Sequence, residues 1–94
     1  MLEEIKKIQG INHNEFDEMI TIWIQAAQND LESIGIVNTQ ENQDSLVKSA
    51  IVEFVLSYLD VVYSEMHDKS YRLLKDQLRH TKEYITGTIP IESR

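Results

Sequence analysis

Ninety-four residues with 41% hydrophobic side chains suffice for one domain with a modest core and leave no room for a second. Three Gly and one Pro are too few for the tight turns of an all-β fold, and the lack of Cys excludes disulfides and thiolate metal sites. A net charge of −7 disfavours non-specific binding to nucleic-acid backbones.

The first predicted element is a short helix from about Leu2 to Ile8. Leu2, Ile5 and Ile8 repeat every third residue, and Gly10 follows as a stop. The acidic start, Met1-Leu2-Glu3-Glu4, is unlike a secretory leader. A second helix is predicted from about Asn14 to Ile34. Phe16, Ile20, Trp23, Ala27, Leu31 and Ile34 fall at steps of three and four, and Ile22 and Ile24 widen the apolar surface to a second side. Asn12 and Asn14 are candidate N-caps, and Gly35 sits where a C-terminal glycine belongs.

Residues 37–44 are polar and read as a loop. A third helix is predicted from Asp44 or Ser45 to about Tyr63. It is apolar around most of its circumference, as suits a central helix or a subunit interface. A fourth begins near Asp68 or Ser70 and ends before Gly87. Tyr71, Leu74, Leu78 and Ile85 form its stripe, and Arg72, Lys75, Arg79 and Lys82 form a basic ridge beside it. The tail after Gly87 contains Ile89, Pro90 and Ile91, and proline forbids helix there. The expected architecture is all-α: three main helices and a short N-terminal one over residues 1–87, then an extended C-terminal arm, 88–94. The expected core holds Ile20, Trp23, Ala27, Leu31, Ile51, Phe54, Val55, Tyr58, Leu74 and Leu78.

No catalytic constellation is legible. Gly10, Gly35 and Gly87 are isolated, so no phosphate loop exists. His13 with Asp17, and Asp76 with His80, have helical spacing, but neither Glu-x-x-His repeats nor His-Glu-x-x-His accompany them. The three histidines read as surface residues, and neither metal nor cofactor is expected. Glu15, Asp17 and Glu18 approach the spacing of a magnesium site, yet helix-dipole complementarity at a helix start accounts for them.

Charge is unevenly placed. Residues 1–47 carry nine acids against Lys6 and Lys7, whereas residues 48–94 carry seven acids and seven bases. This asymmetry suits head-to-tail contact between copies. Glu15, Asp17 and Glu18 of one copy are candidate partners for Arg72, Lys75, Arg79 and Lys82 of the next. Ile89, Pro90 and Ile91 are a candidate partner-binding arm.

The order of segments resembles the head–tail connector (head-completion, or adaptor) family of long-tailed phages. The resemblance covers about residues 1–85. It rests on the acidic turn Asn12 to Glu18 leading into a helix with Ile24-Gln25-Ala26-Ala27 and Leu31. The central hydrophobic helix and a closing Gln77-Leu78-Arg79 complete it. The chain departs from the family in its short connection between the third and fourth helices, which weakens any channel-lining role for residues 63–70. The resemblance implies a non-enzymatic ring subunit seated beneath the portal at the head–tail junction of the virion. Such a ring extends the DNA channel, contacts the portal and the next connector or tail protein, and uses neither sequence-specific DNA binding nor a membrane. A small helical binding module or regulator acting as a dimer is the alternative.

Overall fold

A computed structural model describes residues 1–37 and 44–80. Four helices follow in order: α1 (Leu2–Gln9), α2 (Asp17–Glu32), α3 (Ser45–Leu59) and α4 (Ser64–Arg79). No strand occurs among the described residues, and the all-α expectation holds. The C-terminal arm and the end of the last predicted helix lie outside the described residues.

Helix α3 is the centre of the packing. It lies mainly against α4 and α2, while α1 packs on α2. Ile20, Ile24, Ala27 and Leu31 of α2 meet Val47, Ala50, Ile51, Val55 and Leu56 of α3 in one cluster. Ile5, Ile36, Tyr71 and Leu78 close it.

Both glycine stops act as the spacing predicts. Gly10 has φ 70° and Gly35 has φ 100°, a backbone region that favours glycine. At each stop two amides reach back to the last turn of the helix. Gly10 N–H donates to the Lys7 carbonyl (3.2 Å) and Ile11 N–H to that of Lys6 (2.8 Å). Gly35 N–H donates to Glu32 (3.0 Å) and Ile36 N–H to Leu31 (3.2 Å). This paired pattern satisfies carbonyls that a helix end otherwise leaves open. The second pair also turns Ile36 into the core.

Three boundaries differ from the sequence expectation. Helix α2 begins at Asp17 and has no side-chain cap. Asn14 is drawn elsewhere: its Oδ1 accepts from Lys6 Nζ at 2.9 Å. Helix α3 begins as expected, with Asp44 Oδ1 accepting from Leu46 N–H at 2.8 Å, but it ends at Leu59. Asp60 leaves the helical region, and Val61 and Val62 are β-branched residues with little reason to stay in it. Helix α4 therefore starts at Ser64, several residues earlier than its stripe suggests.

The core list needs one correction. Tyr58 is 56% exposed. It lies at the core's edge, its ring stacked on Trp23 with centroids 5.7 Å apart. Trp23, Phe54 and Leu74 are partly buried and pack on the core from outside. A helix apolar on most sides gives no phase, so its pattern does not say which residue faces out.

Candidate functional site

The charged residues singled out by the sequence separate into two sets. In the acidic group, Glu15 and Glu18 are exposed, but Asp17 turns inward. Its Oδ1 lies 2.8 Å from Lys6 Nζ, and the Lys6 side chain is only 7% exposed. This contact is an ion pair without hydrogen-bond alignment; the aligned bond of the ammonium runs to Asn14. Lys6 thus ties α1 to the start of α2.

The basic ridge divides in the same way. Arg72 points outward, its Nε 3.1 Å from Asp68 Oδ2 one turn away. Lys75 instead reaches across to α2, its Nζ 2.9 Å from Asp30 Oδ2. The Tyr71 hydroxyl donates to the same oxygen. Burial alone raises the carboxyl pKa of Asp30, but the Tyr71 hydrogen bond and the charges of Lys75 and Arg79 outweigh it and hold it below its usual range. The phenol of Tyr71 is pushed up, by burial first and then by Asp30. Arg79 is exposed, and Lys82 lies outside the described residues, as do Ile89, Pro90 and Ile91.

Within one copy, then, the structure brings Lys75 and Arg79 to Asp30 and leaves Glu15, Glu18 and Arg72 facing solvent. Among the described residues it does not bring the acidic group to the basic ridge.

Two apolar strips lie among these exposed charges. On α2 and its approach, Phe16, Met19 and Ile22 are between 45% and 49% exposed. They recur every third residue beside Glu15 and Glu18. On α4 and its approach, Val62, Tyr63, Met66 and Leu73 are exposed, with Val61 next to them. Met66 and Leu73 are two turns apart on one face, next to Lys69 and Arg72. Sequence periodicity hinted at the first strip through the second apolar side of α2. It missed the second, because the turn at 60–63 was read as helix.

A shallow groove of about 280 Å³ runs between α1 and α3. Ile8, Val52 and Leu56 line it together with Glu4 and Lys48, which form an ion pair (3.1 Å). No trio of His, Cys or carboxylate side chains among the described residues converges on a point where a metal would sit. No helix among them is long and apolar enough to cross a membrane.

His13 and His80 are at the surface, as the sequence suggests, but His67 is not. It is buried between two carboxylates, Glu53 from α3 and Asp60 from the turn.

Comparison with known proteins adds one finding. A family model described as "Phage connector protein" matches residues 1–87, nearly the whole chain. Neither the curated proteins nor the solved structures compared with the chain give a significant match.

Proposed function

Because the chain belongs to the phage connector protein family and has that family's structural role, we propose that it is a ring-forming subunit seated beneath the portal, where it extends the DNA channel and joins head to tail. The family match over residues 1–87 carries this reading. The protein performs no reaction. It works as a component of the virion at the head–tail junction, made in the host cytoplasm, with the portal on one side and the next connector or tail protein on the other.

One further observation supports a ring. The apolar strips of α2 and α4 are different surfaces, and a contact between unlike surfaces runs head to tail and closes into a ring when the rotation allows. Glu15 and Glu18 border the α2 strip, and charges of both signs border the α4 strip: Glu65 and Asp76 beside Lys69 and Arg72. In the proposed contact Met19 and Ile22 of one copy pack against Met66 and Leu73 of the next. Arg79 and Lys82 add attraction toward the acidic start of α2. Lys75 and Asp17 serve inside the subunit. The arm, with Ile89, Pro90 and Ile91, reaches a neighbouring subunit or the portal.

Electron microscopy of the purified protein, alone and mixed with its portal, tests this. Closed rings that cap the portal channel are the expected result. A protein that stays dimeric at all concentrations and never joins the portal overturns the reading and leaves the dimeric binding module in its place.

A further inference from the structure

We propose that the turn between α3 and α4 is held by a proton-operated latch, in which His67 as an imidazolium joins Glu53 to Asp60 and release of its proton frees the turn.

The geometry makes the case. His67 Nδ1 lies 2.6 Å from Glu53 Oε2, and Nε2 lies 3.1 Å from Asp60 Oδ2. A carboxylate only accepts. A neutral imidazole has one N–H and one bare lone pair, so it can satisfy one of these contacts and must turn a lone pair on the other. Only the doubly protonated ring donates to both. The side chain is 11% exposed, so little water is present to relieve a mismatch. The two carboxylates stand on opposite sides of the ring, each at its own nitrogen. They do not converge, which is an arrangement for a proton and not for a metal ion.

The latch spans three elements. Glu53 belongs to the middle of α3, Asp60 ends that helix, and His67 is in the first turns of α4. Asp60 also accepts, through Oδ1, a long bond (3.4 Å) from the Tyr63 N–H inside the turn. One carboxylate therefore ties both the turn and the helix that follows. Glu53 and Asp60 are the charged groups facing His67 from the elements packed on it. On α4 itself the nearest charges, Glu65, Asp68 and Lys69, sit outside the latch, and Asp68 pairs with Arg72. Val61, Val62, Tyr63 and Met66, the exposed apolar residues of this corner, are carried on the latched segment.

Burial alone lowers the pKa of a histidine; here the bonds and charges of Glu53 and Asp60 prevail and raise it above 6.5. While both carboxylates are ionised, the contribution of the His67 proton to the latch is thus fully present below about pH 6.5 and is lost as pH rises through the titration of the folded protein. Across that window the ratio of closed to open turn falls with rising pH, by at most about tenfold per pH unit for one proton.

Nitrogen-detected NMR of the intact protein tests the proposal directly. His67 should show two protonated ring nitrogens at pH 6 and a titration midpoint above 6.5. A single neutral tautomer at pH 6 overturns it. Glu53→Gln and Asp60→Asn should each lower that midpoint, and a midpoint that neither moves also overturns it. Hydrogen exchange, corrected for the intrinsic pH dependence, gives an independent reading. Amides 60–67 should lose protection as pH rises through the His67 midpoint, by up to about tenfold per pH unit, in the wild type but not in His67→Gln. An identical pH response in the two proteins sinks the latch.

Discussion

Lys6 shows how a charge can serve the fold from inside it. Its ammonium is buried with Asp17 and Asn14 for company. Removing Asp17 strands that charge, whereas removing Lys6 strands a carboxylate that is 30% exposed and can be rehydrated. Asp17→Ala should therefore cost about 1–3 kcal/mol in denaturant titration, and Lys6→Met distinctly less. Equal losses in the two variants would show that the pair is ordinary surface chemistry. Neither Lys6 nor His67 was legible in the sequence. Each is an unremarkable polar residue whose partners come from other elements: Asn14 and Asp17 for one, Glu53 and Asp60 for the other. Spacing along a helix records which face a residue shares, not what the next helix brings to it.

At the scale of elements, legibility followed the strength of the phase. Helix α2 has Ile20, Ala27 and Leu31 fully buried on one face, as its stripe predicted. Ile20→Ala should cost about 2–5 kcal/mol, the usual range for a buried aliphatic side chain. Tyr58→Ala should cost distinctly less, since the ring is largely in solvent and loses mainly its stacking on Trp23. A comparable loss at both positions would put Tyr58 back inside. The helix stops were legible because glycine at the end of a periodic run has a specific conformational meaning. Gly10 has no atom near enough to obstruct a methyl group. Gly10→Ala therefore isolates the backbone cost of a left-handed conformation, about 1–2 kcal/mol, and Gly10→Asn should cost less. The end of α3 was not legible. Val61, Val62 and Tyr63 prolong the apolar run beyond the point at which Asp60 turns the chain, so the run hides the break.

For the molecule as a whole, the family was legible in the order of its segments, while the apolar strips of the proposed contact were not. The sequence marks charges at positions 15–18 and 72–82; folding engages Asp17 and Lys75 in ion pairs within the subunit and leaves apolar strips beside the charges that remain. Assembly should respond accordingly. Met19→Lys and Met66→Glu should each abolish self-association while leaving the circular dichroism and melting of the monomer nearly unchanged, because both side chains are about half in solvent. Combining the two should restore part of the assembly if they face each other across the contact. Double-mutant assembly no better than either single variant would separate the strips. Raising the salt concentration should weaken the wild-type contact through its screened rim charges while sparing the apolar centre.

The main packing of this chain joins each helix to the next one along it: α1 to α2, α2 to α3 and α3 to α4. Few of its principal contacts wait for distant segments to find each other. A topology of this kind folds in microseconds to milliseconds, because little loop entropy must be surrendered before contacts form. It can also fold progressively as it leaves the ribosome, each helix docking on its predecessor. A ring subunit of the kind proposed, needed in several copies for every particle, would gain from both. Its supply is then set by translation, with little time spent as a sticky, half-folded intermediate among its siblings.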